Sequence, residues 1–295
     1  MGLDINSVRF LIGAKRAGVS FDRVLTLGRL DLNVYPAKMR ELLEQHNLSS
    51  QAFRPNAPDV RFSEPVFEAL GAREVLAMDA SGFEGAPIVH DLNEPVPAEH
   101  QAQFDAVFDG GTLEHVFNFP VALRNCMEMV KPGGRLFLHT IANNWCGHGF
   151  YQFSPELFFR ALSPENGFEM ERVVLHMVGP YGRWYEVRDP EAIRARTELI
   201  TFTPVQLLVQ ARRTAVVPVF ARMPQQSDYT PRWTVQPGEN PTEGPASIDY
   251  RPSRPKLAKW LPGVARLIHV MKTGLYVYRS HSLRNRASFR PLKKS

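Results

Sequence analysis

Short unbroken runs of Val, Leu and Phe recur through the first 212 residues, and between them the apolar positions return every three or four residues. The runs RVLTLG (23–28), EVLAMD (74–79), FDAVFD (104–109), RLFLHT (135–140), ERVVLHM (171–177) and VQLLVQAR (205–212) read as strands. Because they are continuous rather than alternating, both faces of each strand are expected to be covered, as in a parallel sheet. IVH at 88–90 adds a strand stub. The helices between them carry recognisable ends. SEPVFEALG (63–71) has Ser63 as a cap, Pro65 in the first turn and Gly71 at the stop. PVALRNCMEMVKPGG (120–134) opens on Pro120 and closes on Lys131, Pro132, Gly133 and Gly134. SPELFFRAL (154–162) repeats the Ser-Pro-Glu start, and PAKMRELLEQHNL (36–48) lies inside a long first crossover. Such alternation predicts a doubly wound α/β fold, a mostly parallel sheet with helices on both faces.

The pattern fails after residue 222. Residues 223–255 carry seven prolines and almost no aliphatic periodicity, which reads as a linker between an α/β domain (1–222) and a C-terminal segment (256–295). Charge sharpens that boundary. From Arg251 to Ser295 there are twelve Lys or Arg and no acid, so the first 250 residues hold 23 basic and 30 acidic side chains, a net of −7. Within KLAKWLPGVARLIHVMKTGLYVYR (256–279), Trp260, Leu261, Val264, Leu267, Ile268, Met271, Leu275 and Tyr278 fall at near-helical spacing, interrupted by Pro262 and Gly263. Three roles fit: docking on the acidic body, lying on an anionic membrane surface, or gripping nucleic acid. Docking is the first expectation and nucleic acid the last. Over the whole chain the composition, 44% apolar and 22% charged, is that expected of a soluble globular protein. No apolar run approaches the roughly 18 residues of a membrane span. Two cysteines, Cys126 and Cys146, make no disulfide framework. A cytoplasmic protein is expected, peripheral at the inner membrane surface if the tail meets lipid.

Doubly wound sheets bind ligands at the carboxyl ends of their strands, so the loops there are the expected place for chemistry. The first strand runs into LGRLDLNV, where a loop leaving Gly28 could present backbone N–H groups. The second ends in Asp79 and Ala80, where an acid accepts bonds from ribose hydroxyls in nucleotide-binding sheets; a helix cap is the plainer role. Asp91 and Leu92 follow the stub, placed for an adenine amino group and ring, or for an Asx turn. These pieces, followed by FDAVFDGGTLEHVFNFPVALRNCMEMVKPGGRLFLH (104–139), resemble the seven-stranded S-adenosylmethionine-dependent methyltransferases. The resemblance covers roughly residues 21–212 in element order, most specifically 104–139. It implies a seven-stranded sheet, S-adenosylmethionine as cofactor, and contact of the fourth strand's tip, Asp109, Gly110 and Gly111, with the methionine part. Motif I departs from the family: Thr26 stands where an acid is usual, and of the glycine-rich loop only Gly28 is present, with Arg29, Leu30, Asp31 and Leu32 filling the remainder, where side chains would crowd the methionine part.

Methyl transfer to a hydroxyl or amine needs alignment and removal of a proton, and His is the natural base near neutral pH. Two of the nine histidines sit near these loops. His148 lies in ANNWCGHGFYQFSPELFF (142–159), past the fifth predicted strand, and is the first candidate base; His115, beside Glu114, is the second. Neighbours on a helix point about 100° apart, so Glu114 and His115 do not form a dyad. Asn143, Asn144, Trp145 and Tyr151 in the same loop suit a small polar acceptor such as a saccharide, free or linked to lipid or nucleotide. A hydrophobic cover over the sheet edge is the competing role. No paired Cys or His spacing points to a metal. A binding protein that has lost cofactor competence is the alternative to an enzyme, motivated by motif I.

Overall fold

The structure is a computed structural model describing residues 2–179, 182–228 and 262–292. Its main sheet is built from β2 (Arg23–Leu27), β4 (Glu74–Asp79), β5 (Ile88–Val89), β6 (Phe104–Asp109), β7 (Val130–Asn143), β8 (Phe168–Met177), β9 (Trp184–Val187), β10 (Val205–Arg213) and β11 (Phe289–Leu292). A separate parallel pair joins β1 (Gly2–Leu3) to β3 (Asp31–Leu32). The order across the main sheet is β11-β9-β8-β10-β7-β6-β2-β4-β5. From β5 to β7 every pairing is parallel; β10 runs antiparallel between β7 and β8. The seven strands from β5 to β8 are the expected mostly parallel sheet. Two edge strands, β9 and β11, extend it to nine.

Both faces are covered, as the unbroken apolar runs require. All six residues of β6 are buried. Along β7, Leu136 and Leu138 face one core with α4 (Phe119–Met129) and α5 (Pro155–Ala161), while Phe137 between them faces the other. That second core holds α1 (Ile5–Arg16), α2 (Pro36–Gln45) and α3 (Glu64–Ala69). A short α6 (Pro190–Ile193) follows β9. Burying each Val, Leu or Phe in such a position contributes about 1.5–3 kcal/mol. Helix α1 adds to the expected elements and carries an ordinary signal: Asp4 accepts from the amides of Asn6 (2.9 Å) and Ser7 (2.8 Å), and Val8, Leu11 and Ile12 line its buried stripe.

Two expectations change. The helix predicted to 134 ends at Met129, and Lys131–Gly134 opens β7. The Arg213 guanidinium donates to the carbonyls of Glu128 (2.8 Å) and Val130 (2.5 Å), satisfying the helix end from across the sheet. Gly134 is needed because a Cβ there would lie 2.8 Å from the Asp105 carbonyl. The tail is also not a separate segment throughout. After α7 (Pro262–Ser280), residues 281–292 rejoin the body, with Ser288 and Phe289 fully buried and β11 paired to β9. The proline-rich stretch lies outside the described residues from 229 onward, as do Trp260 and Leu261.

Candidate active site

Three strand tips converge. Gly28 follows β2 with φ +76°, and a Cβ there would meet Thr112 Oγ1 at 3.5 Å and Asp79 Oδ2 at 3.7 Å. Thr112, which sequence reasoning passed over, donates from Oγ1 to the Leu27 carbonyl (2.8 Å) and ties the turn after β6 to the end of β2. Asp79 accepts from the Ser81 amide (3.2 Å) and keeps its second oxygen toward Gly28; Ala80 beside it is exposed. Gly111 takes φ +96°, turning the chain at the tip of β6. Gly110 packs against Leu30, whose Cδ1 would be 2.8 Å from a Cβ on that glycine. Leu30, one of the residues that fill motif I after Gly28, is buried and occupies the space over Gly110.

Asp109 is the most unusual group in this cluster. It is fully buried; its Oδ1 accepts from the amides of Thr112 (2.8 Å) and Leu113 (3.3 Å), while Oδ2 has no hydrogen-bond partner. Burial first, and then the Glu114 carboxylate, hold its pKa well above the usual range against the opposing backbone amides. Glu114 is also buried and raised, again by burial, with Thr140 Oγ1 donating to it at 2.9 Å. Two acids that resist ionising sit together below the strand tips.

Asp91 and Leu92 take the plainer course. Asp91 accepts from the Asn93 amide (2.9 Å) and side chain (2.8 Å), which hold its carboxyl below its usual range in an Asx turn. Leu92 is buried in the core that also holds the apolar side of α4.

Glu114 finds its histidine across the fold. His148 Nε2 stands 4.0 Å from Glu114 Oε1, and the His115 and His148 rings lie 5.2 Å apart. The contact exists because Gly149 passes over Glu114 where a Cβ would clash with its carbonyl at 2.7 Å, and Phe150 N donates to that carbonyl at 2.8 Å. Partial burial and His148 lower the His115 pKa. The expected recognition amides have internal partners. Asn143 donates to the Leu199 carbonyl and Thr201, Asn144 to the Thr201 and Thr203 carbonyls, Trp145 Nε1 to the Val205 carbonyl, and Tyr151 OH to the Phe117 carbonyl (2.7 Å). The rings left outside are Phe117 and Phe150, an exposed edge-to-face pair 5.7 Å apart that the sequence did not single out.

Tertiary structure also assembles groups with metal-ligand spacing that the sequence spacing did not show. One ligand atom each from Glu114, His115 and His148 lie within 4.8 Å of one another, as do those of Asp4, His139 and His176. The second group is knitted internally: Ser7 Oγ to His139 Nδ1 at 2.7 Å, and His139 Nε2 to His176 Nε2 at 3.3 Å.

Residues 71–138 match the family model of a methyltransferase domain, bearing out the resemblance read from the sequence. That span begins after the Gly28 loop and ends in β7. The ubiquinone biosynthesis O-methyltransferase of Escherichia coli (strain K12 / DH10B) is 35% identical over 78 residues, 26% of this chain and 32% of that protein. The enzyme of the same name from Shewanella pealeana is 46% identical over 46 residues, 16% of this chain and 20% of its own. The chain thus spans between a fifth and a third of these relatives' length. Among solved structures, the N-methyltransferase NodS of Bradyrhizobium japonicum aligns over 71% of this chain and 96% of its own, at 12% identity and a TM-score of 0.39.

Proposed function

We propose that the chain catalyses methyl transfer from S-adenosylmethionine to a small polar acceptor at the carboxyl edge of β2, β4, β6 and β7. The observation that carries this reading is the buried Asp109–Glu114 pair with its unpartnered Asp109 Oδ2. Two buried carboxyls held above their usual pKa are unstable as anions unless a cation comes beside them. When bound, S-adenosylmethionine supplies an ammonium, and a sulfonium whose methyl is electrophilic. Asp109 Oδ2 is free to accept from that ammonium, and Asp79 from the ribose hydroxyls across the Gly28 turn. His148, with Glu114 behind it, is placed to take the acceptor's proton, while the acceptor's bond to the methyl carbon would form as the carbon–sulfur bond breaks and S-adenosylhomocysteine leaves. His115 beside it is held neutral to lower pH by its environment and is the second base within reach. The Phe117–Phe150 pair offers flat apolar surface against which a saccharide ring, free or linked to a lipid or nucleotide, would stack.

Leu30 supports the competing reading, a binding protein without cofactor competence, because it fills the space over Gly110. Calorimetric titration with S-adenosylmethionine and S-adenosylhomocysteine separates the two. Heat of binding and a raised melting temperature are expected; neither at millimolar ligand would leave the non-catalytic reading standing.

A further inference from the structure

The helix α7 is poorly explained by the body it is attached to. Within its 19 residues Val264, Leu267, Ile268, Met271, Leu275 and Tyr278 recur at i, i+3, i+4, i+7, i+11 and i+14, one stripe of an α-helix. Every one of them is exposed; Leu267 is 60% and Met271 66% accessible. The expectation that this stripe docks on the acidic body is therefore not met by the described side chains. What docks is the segment after it.

That attachment fixes where the helix emerges. The Ile200 amide donates to the His281 carbonyl at 2.7 Å, and the His281 ring is paired with the Glu198 carboxylate. Residues 199–203 are in turn held by Asn143 and Asn144 of the loop that carries His148. The C-terminal end of α7 thus leaves the body beside the candidate active site. Ile200 and Phe202 in that held segment are exposed, as are Phe117 and Phe150, the latter in the loop that carries His148.

Charge selects the occupant. The chain from 251 to 295 has twelve basic residues and no acid, and Lys272 and Arg279 border one side of the apolar stripe on the helix wheel. A second copy would bring its own like-charged tail against this one. Nucleic acid would satisfy the charge but leave the apolar stripe in water. A bilayer surface rich in anionic lipid satisfies both: the stripe enters the acyl boundary while lysine and arginine reach the headgroups. The helix does not cross, since no helix among the described residues is long and apolar enough to span a membrane. We propose that α7, together with the exposed Ile200 and Phe202, seats this protein on an anionic membrane surface, with the candidate active site and its Phe117–Phe150 pair facing the lipid interface.

The experiment is flotation of the full chain with phosphatidylcholine vesicles, with and without roughly 30% phosphatidylglycerol, at about 0.1 M salt. The full chain is expected to float with the anionic vesicles and stay behind with the neutral ones. Leu267→Glu, Met271→Glu and Leu275→Glu together should lower the bound fraction by about tenfold or more while the melting temperature holds, because those side chains contact solvent. No flotation of the full chain overturns the proposal. So does retained flotation by the triple variant, or a dimer by sedimentation velocity that the variant converts to monomer without any vesicle binding. Binding to duplex or single-stranded oligonucleotide that survives the triple substitution, with no flotation, would assign the tail to nucleic acid instead. The vesicles carry no methyl donor or acceptor, so this outcome and that of the cofactor titration are independent.

Discussion

At the scale of single residues, Asp109 offers the cleanest test because its two consequences have opposite signs. Asp109→Asn keeps an oxygen for the Thr112 and Leu113 amides but removes the charge that would meet a cationic ligand. Cofactor affinity should fall by roughly 1.5–3 kcal/mol, the scale of a hydrogen bond to a charged group. The melting temperature should hold or rise, since a reluctantly ionised buried acid has gone. A parallel drop in stability and affinity would make Asp109 a structural residue. Proton transfer is tested on the other side of the site. His148→Ala should lower turnover by about 10²–10⁴ with cofactor affinity nearly unchanged, and Glu114→Gln should shift the pH–rate profile as well. Equal losses of turnover and affinity in His148→Ala would identify the 143–153 loop as a lid that shapes the pocket.

At the scale of elements, the turn after β2 and the strand β11 carry the departures that matter. Leu30 packs on Gly110 and links the insert between β2 and α3 to the tip of β6. Leu30→Ala should cost about 2–5 kcal/mol in denaturant unfolding, as for other buried leucines. If the side chain stands where the methionine moiety lies, the same variant should bind cofactor more tightly; weaker binding would mean that Leu30 forms the pocket instead of filling it. The tail divides into two elements with different energetics. Phe289 in β11 is fully buried, so Phe289→Ala should cost about 3–5 kcal/mol. Leu267→Ser in α7, on an exposed stripe, should stay within about 0.5 kcal/mol. Urea midpoints for the two variants settle which part of the tail stabilises the body.

At the scale of the whole molecule, buried titratable groups set the pH range in which the fold is most stable. Burial lowers the His139 pKa. Below the ordinary histidine value of about 6.5, the unfolded chain binds a proton that the folded core refuses, and stability falls as pH drops. Asp109 acts in the other direction: its pKa is raised in the fold, so its share of stability declines as pH climbs from about 4 through the raised value. Thermal melts from pH 4 to 9 should show His139→Gln flattening the acid limb and Asp109→Asn flattening the alkaline one. The same linkage makes the cofactor a proton releaser. A cationic ligand binds the ionised pair, so affinity should fall as the medium is acidified, and the calorimetric enthalpy should vary with the buffer's ionisation heat.

Much of the fold was legible because its signals are local. Continuous runs at 23–28, 74–79, 104–109, 135–140, 171–177 and 205–212 are the six main strands, since a strand covered on both faces has no polar side to interrupt it. Gly28 and Asp79 could be named in advance because strand tips in a doubly wound sheet are its binding edge, and Asp109 from the family resemblance; Gly28 and Asp79 lie side by side, and Thr112 links the end of β2 to Asp109. What stayed hidden depends on residues distant in the chain. Glu114 was judged against its neighbour His115, yet its partner is His148, brought over it by a glycine that tolerates the close passage. Asn143, Asn144 and Trp145 looked free for a ligand because a sequence does not show the 199–205 segment they hold. β11 was hidden inside a basic tail, since an edge strand of four residues needs only Phe289 inside and a partner strand to pair with. The sequence by itself determined periodicity, punctuation and charge balance, all set by near neighbours along the chain. Only the tertiary structure decided which polar groups and which apolar faces are left over once packing has paired the rest. Two of those leftovers, Asp109 Oδ2 and the exposed stripe of α7, carry the functional proposals.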